Sequence, residues 1–336
     1  MKNDNFNRRQ ILHAAITALG ATGVIGSVAT TKAILAASPQ TASMQGKTPP
    51  VTTSEMTAID AAMGKKGRYV EAEAVYTHAL PRNDLKVTIK GAPVPISFGF
   101  GGWVAIKKTV DGKSAMLMSD TVLLQEEVNT LISAAHANDL EVSAIHNHFF
   151  YEEPRIFYMH LHGMGAPDDL AKRFAAAIKT TKLFPANQPP VAASPARTAK
   201  EIFDLPALDK IAGYTGTVNG TSYKYTVGRK DLTVMAMGAE MTAAIGLNSW
   251  AAFAGNADAA HVAGDIAMLE PEVNNVIRAL RRNNLEVVAL HNHMLGDNPR
   301  IMFLHYYGRG RSLDLARGFR AALDELGKGA MNGMGM

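Results

Sequence analysis

The chain writes one motif twice. Ile145-His146-Asn147-His148 recurs as Leu290-His291-Asn292-His293, and each copy is followed by Pro-Arg-Ile, then a histidine, then a glycine. In the first copy these are Pro154, Arg155, Ile156, His160 and Gly163; in the second they are Pro299, Arg300, Ile301, His305 and Gly308, at a constant offset of 145 residues. The correspondence spreads outward. Arg82, Asp84 and Trp103 match Arg229, Asp231 and Trp250 at an offset of 147, while Asp120, Glu127 and Phe174 match Asp265, Glu272 and Phe319 at 145. The two-residue change falls between Trp103 and Asp120, in an expected hairpin, where a length change costs little. Two copies are too few for an open solenoid, so the expectation is a pseudo-symmetric pair packed face to face.

Within each copy the periodicities alternate. Residues 68–78, 85–90, 103–109 and 114–118 have strand character, and Asp111-Gly112 is a tight hairpin signal. Ser54 is placed to cap a short helix that ends at Gly64. Asp120 or Thr121 reads as the cap of a longer helix to about Asn138, with Leu124, Val128, Leu131, Ile132 and Ala135 at helical intervals. Strand 140–148 and strand 155–162 follow, joined by a connection too short for a parallel crossover, so they should pair antiparallel. Pro167 then opens a helix with Asp168 and Asp169 in its first turn. The expected class is α+β: a tandem duplication of a strand-rich unit with two helices, its sheets mainly antiparallel. The expected divisions are a leader 1–37, a linker 38–53, a first repeat 54–183, a linker 184–200, a second repeat 201–326 and a disordered tail 327–336.

The leader carries its own message. Asn7-Arg8-Arg9-Gln10-Ile11-Leu12 is a twin-arginine pattern, followed by a mildly apolar run and small residues near Ala29, Ala33 and Ala37. That is the signature of an exported protein, periplasmic or secreted, with no transmembrane segment in the mature chain. The leader also holds most of the net charge of +4, so the body is nearly neutral and nothing points to a nucleic-acid partner. With no cysteine in the sequence, disulfides, thiolate metal sites and a cysteine nucleophile are excluded.

Chemistry concentrates in the histidines. Of eleven, three pairs obey the repeat: His146 and His291, His148 and His293, His160 and His305. A His-x-His pair on a strand places both rings on one face, about 7 Å apart, a common way to offer two nitrogens to one metal ion. Zinc or another divalent transition metal is the expected cofactor. Hairpin arithmetic limits the idea. His146 should lie opposite a residue near Phe157, about 10 Å along the strands from His160. Either a bulge corrects the offset or the site is assembled between the halves, with His146 and His148 facing His305, for example; otherwise His160 and His305 are core residues. Arg155 and Arg300, just past the turn, are candidates to clamp an anion; the alternative is a turn-fixing salt bridge to Glu152, Glu153 or Asp297.

The paired blocks from Ala144 to Gly163 and from Ala289 to Gly308, with the Glu-Val-Asn segments before them, resemble a bacterial domain-of-unknown-function family, the one that includes the mycobacterial LppY and LpqO proteins. The resemblance covers roughly residues 54–325. It implies an exported bacterial protein with a tandem domain and carries no established activity or catalytic residues. Lacking cysteine, this chain departs from the lipoproteins of that family in having no lipid attachment of their kind.

Three functions remain open from sequence: a protein binding a metal or small anionic ligand at the His-x-His strands, a metal-dependent hydrolase using His146, His148 and an acidic neighbour, or a structural or interaction module whose histidines only end strands. The ligand, the oligomeric state and the activity of each repeat are not legible.

Overall fold

A computed structural model of the chain describes residues 48–189 and 197–328. The expected leader, most of the first linker, part of the second and most of the tail lie outside the described residues. The first repeat runs α1 (Thr53–Met63), β1 (Arg68–Val70), β2 (Val75–Pro81), β3 (Val87–Ile89), β4 (Ala92–Val94), β5 (Gly101–Lys108), β6 (Ala115–Leu124), α2 (Gln125–Ala137), β7 (Glu141–His146), β8 (Glu152–Glu153), β9 (Ile156–Gly165) and α3 (Pro167–Ile178). The second runs α4 (Ala199–Ile202), α5 (Leu205–Ala212), β10 (Thr217–Asn219), β11 (Ser222–Gly228), β12 (Val234–Ala236), β13 (Ala239–Met241), β14 (Asn248–Gly255), β15 (Ala260–Leu269), α6 (Val273–Arg282), β16 (Glu286–His291), β17 (Ile301–Gly310) and α7 (Ser312–Leu323). The class is α+β with a duplicated unit.

Each repeat builds a six-stranded antiparallel sheet of the same topology, β1-β2-β5-β6-β9-β7 in the first and β10-β11-β14-β15-β17-β16 in the second. One face of each sheet is apolar and covered by its own helices. In the first repeat Leu117, Leu123, Met159 and Leu161 meet Leu131, Leu170 and Phe174; in the second Val262, Ile266, Leu304 and Tyr306 meet Val276, Leu280 and Phe319. The opposite faces meet residues of the other repeat. Ala105, Met116 and Met118 pack with Met241, Ile245 and Phe303, while Phe98, Phe149 and Tyr158 pack with Ala252, Ala254 and Tyr307. Strand alternation explains the split, since successive residues point to opposite faces and both faces are buried. Both repeats lie in one compact unit, so the face-to-face pair expected from the duplication is the arrangement found.

The offset change is also where it was expected. The β5–β6 connection spans residues 109–114 and its counterpart only residues 256–259.

Two expectations need correction. The short first helix is capped by Thr52, not Ser54: Thr52 Oγ1 accepts the Glu55 N–H at 3.3 Å, and Glu55 accepts the Thr52 N–H at 2.6 Å. More consequentially, Asp120 and Thr121 do not cap a helix. They lie inside β6, which continues to Leu124. The helix starts at Gln125, where the Glu127 carboxylate accepts the Leu124 N–H at 2.8 Å. Buried Arg82 holds that glutamate at 2.7 Å, donates to the Val122 carbonyl at 2.7 Å and chelates Asp84 with two bonds of 2.9 Å. Arg229, Glu272 and Asp231 repeat the arrangement. The matched Arg, Asp and Glu are therefore a structural clamp between a loop, a strand and a helix start, with every charge partnered as burial requires.

Candidate metal centre between the repeats

Sheet register sets one row of side chains in each repeat. Trp103 pairs with Asp120, Asp120 with His160, and His160 with Ala144. Trp250, Asp265, His305 and Ala289 form the matching row. Directly opposed residues share a face about 4.7–4.9 Å apart, so each inner face carries tryptophan, aspartate and histidine side by side. The edge strands β7 and β16 end on His146 and His291, and His148 and His293 follow two residues past the strand ends, so the strand expected to run to His148 stops short of it.

His146 pairs with Tyr158, one residue beyond the position expected. A bulge between Val142 and Ala144, repeated between Val287 and Ala289, shifts the register. The edge strands then touch across the pseudo-twofold: Ser143 Oγ donates to the His293 carbonyl at 2.6 Å, and Asn292 Nδ2 donates to the Ser143 carbonyl at 3.0 Å. Both corrections foreseen for the hairpin offset therefore operate together.

All six repeat-matched histidines converge. Ring centroids of His146 and His291 are 3.9 Å apart, those of His148 and His305 3.6 Å, and those of His160 and His293 4.1 Å. Each pair takes one ring from each repeat. Three groups of possible ligand atoms lie within 4.8 Å of one another: His146, His291 and His305; His160, His291 and His293; Asp120, His146 and His160. Asp265 Oδ2 is 3.3 Å from His293 Nε2 and 3.9 Å from His305 Nε2.

The rings are held for coordination at one nitrogen. His160 Nδ1 lies 3.0 Å from the Ser119 carbonyl and His305 Nδ1 3.0 Å from the Gly264 carbonyl. A carbonyl only accepts, so Nδ1 carries the proton and Nε2 presents its lone pair, the usual backing of a metal-ligating imidazole. Both Nε2 atoms lack a partner, as do both nitrogens of His146, His148 and His291 and one oxygen each of Asp120 and Asp265. Of sixteen buried, unpartnered side-chain polar atoms among the described residues, eleven belong to these eight side chains. Each such atom costs on the order of 1–3 kcal/mol unless something satisfies it. A coordinated cation would satisfy most of them at once.

The electrostatics agree. Burial, and then the neighbouring imidazoles, hold His146 and His148 well below the ordinary histidine range, and burial brings His291, His293 and His305 down to about 3. The rings are neutral at pH 7, the state a metal ligand needs. Burial and the charge of Asp265 push the Asp120 carboxyl well above the usual carboxylate range. Two buried carboxylates without a cation repel each other.

A cleft of about 230 Å³ reaches the cluster from one side. Asp120, Asp265 and His293 line it together with Trp103, Trp250 and Lys224.

The remaining candidates fall elsewhere. Arg155 and Arg300 are exposed and outside the cluster. Arg155 donates to Glu152 at 3.2 Å, and Glu152 also accepts the Ile156 N–H at 3.4 Å. Asp297 performs the same turn-closing task, accepting the Ile301 N–H at 2.7 Å. The turn-fixing bridge read as the alternative to an anion clamp is therefore formed by Arg155, whereas Arg300 makes no ion pair with a described residue. Asn147 closes the same turn by donating to the Ile156 carbonyl at 2.7 Å. Five site residues have no site role in the sequence reading. Asp120 and Asp265 carry the repeat match, but Asp120 or Thr121 reads as a helix cap. Trp103 and Trp250 carried it without a function. Lys224 had no signal, because Thr77 stands at its place in the first repeat.

A family model described as Domain of Unknown Function (DUF1259) matches the chain twice, over residues 57–180 and 206–325. No curated protein matches. Among solved structures, a trimeric bacterial microcompartment shell protein, PduB, is 12% identical, with 77% of this chain and 89% of that chain covered and a TM-score of 0.19. EtuB from Clostridium kluyveri is 10% identical, with 68% and 87% covered and a TM-score of 0.18. Scores this low carry nothing about the fold or function of this chain.

Proposed function

The chain belongs to the DUF1259 family of domains of unknown function, in two copies, and from that premise we propose that it is an exported protein binding a divalent transition metal, zinc foremost, between its repeats. The observation that carries the reading is the convergence of six neutral imidazoles and two aspartates whose free ligand atoms have no other partner. Nitrogen and carboxylate donors without thiolate suit zinc, copper, nickel or iron. Export is inferred from Arg8-Arg9 and the apolar run behind it, and twin-arginine export suits a protein that takes up its metal while folding. No helix among the described residues is long and apolar enough to cross a membrane. We infer also that this is the family of the mycobacterial LppY and LpqO proteins.

The test is elemental analysis of protein purified without a His tag. The expected result is one metal ion per chain. Substoichiometric metal, with no uptake on dialysis against zinc, would leave only the structural-module reading. The cleft favours a second reading, a metal-dependent hydrolase, because it opens the ligand-bearing floor to a substrate. A screen of the metal-loaded protein on phosphoesters, esters and lactams separates catalysis from binding.

A further inference from the structure

The cleft is less symmetric than the cluster beneath it. Trp103 and Trp250 occupy matching walls, and Asp120 and Asp265 matching positions on its floor. Lys224, on β11, pairs with Ala252 and Thr217, while its counterpart Thr77, on β2, pairs with Ala105 and Arg68. At this position the second repeat therefore supplies a cation that the first does not; the first repeat's cation on the cleft is Arg68, which is exposed to solvent. Lys224 Nζ lies 4.4 Å from the centroid of the Trp250 ring, and it makes no ion pair with a described residue. Burial lowers its pKa, while the charges of Asp120 and Asp265 act to raise it.

Charge counting identifies what is missing. A metal-ligating carboxylate is ionised, so Asp120 and Asp265 together balance one divalent ion. Lys224 then leaves one positive charge uncompensated beside a buried centre, which is costly unless an anion joins it. The cleft, below the roughly 300–1,000 Å³ of drug-sized sites, takes a small molecule. Its two indoles offer flat apolar surface. We propose that it binds a small planar monocarboxylate, whose charge sits between Lys224 and the metal and whose flat body lies against Trp103 and Trp250. This rests on the metal reading above.

The chain's only two tryptophans both line the cleft, so intrinsic fluorescence reports on it directly. Benzoate is titrated into the zinc-loaded chain, with metal content measured on the same samples. The expected result is a saturable fluorescence change. Lys224→Met weakens binding at least tenfold at unchanged metal content, Lys224→Arg restores it to within a few-fold, and acetate binds at least tenfold more weakly than benzoate. If metal is bound and benzoate produces no saturable change, or Lys224→Met binds it as well as the native chain, the anion site is wrong and the metal site stands. Equal affinity for acetate and benzoate removes the role of the indoles and overturns the planar-ligand assignment. A chain that holds no metal overturns both readings, because the charge balance behind the anion site is then gone.

Discussion

The two repeats make the same half of a site in different surroundings. His146, His160, Asp120 and Trp103 have the same residue types and register as His291, His305, Asp265 and Trp250, and His148 matches His293 two residues past each edge strand. The residues around them have diverged. Tyr158 stacks on His148 at 3.2 Å and donates to the Gly99 carbonyl at 2.8 Å, whereas Phe303 stacks on His293 at 3.4 Å and has no hydroxyl to donate. Met116 and His162 in the first repeat become His261 and Tyr307 in the second, joined by a hydrogen bond of 2.8 Å. Ser143 becomes Val288, and Thr77 becomes Lys224. A fresh duplication copies everything, so identity alone teaches little. Identity kept at the centre while its packing shell changes is more informative. It is what results when both halves face one shared object and each fills its own periphery independently.

The largest effect should follow from attacking one half at a time. If one ion is shared by both halves, His291→Ala with His293→Ala removes ligands from both groupings that span the repeats, and His146→Ala with His148→Ala removes one from the His146, His291 and His305 grouping. Each double variant is expected to lose at least nine-tenths of the bound metal, measured by elemental analysis after gel filtration. Retention of about half the metal by either variant would show two independent sites, one per repeat, and would break the shared-object argument. Circular dichroism of both variants guards against simple unfolding, since taking paired rings out of a buried cluster also leaves a cavity.

That comparison was only half legible in the sequence. The duplication, the antiparallel hairpin, the loop that absorbs two residues and the histidine pairs could all be read from spacing, because period and offset are one-dimensional properties. The aspartates could not. Asp120 precedes a helical periodicity and has a residue type favoured at helix starts, so local preference pointed to a cap, while the strand continued to Leu124. Only the partner strand β9, which sets His160 beside Asp120, gives that aspartate its meaning. Lys224 was invisible for the opposite reason, since it breaks the repeat. The convergence of six rings needs the bulge at Ser143 and the crossing of two edge strands, both tertiary events that no local pattern encodes.

A smaller effect distinguishes the two glycines that receive the indoles. Gly246 has φ of +101°, and a Cβ there would stand 2.9 Å from Met118 Cε and 3.2 Å from Trp103 Cη2. Gly99 has φ of 163°, outside the left-handed region, and its Cβ would meet Phe149 Cζ at 3.4 Å and Trp250 Cη2 at 3.7 Å, ordinary contacts. Gly246→Ala should therefore cost on the order of 1–3 kcal/mol through backbone strain and crowding. Gly99→Ala should lie within about 0.5 kcal/mol of the native chain. Urea denaturation of the two variants measures the difference. Equal costs would mean that the two indole seats are equivalent after all.

The smallest effect lies outside the cluster, where the repeats solve one problem with different side chains. His78 Nε2 meets Asp60 at 3.0 Å, and Tyr225 donates to Asp209 at 2.9 Å in the equivalent place. Burial depresses the His78 pKa below its ordinary value, and the Asp60 charge only partly offsets that. The unfolded chain then binds more protons than the folded one below the unfolded histidine value of about 6.5, so stability from this residue is lost as the pH falls through that value. Tyrosine has no proton to gain in this window. His78→Tyr should therefore lower the drop in Tm between pH 7.5 and 5.5 by roughly one to three degrees, on the scale of a few degrees per kcal/mol for a chain of this kind. The slope is the readout, because the larger ring beside Gly67 shifts Tm at every pH. An unchanged slope would mean that His78 gains its proton without penalty and that the two clusters are electrostatically alike; the difference between the repeats would then be confined to the residues around the shared site.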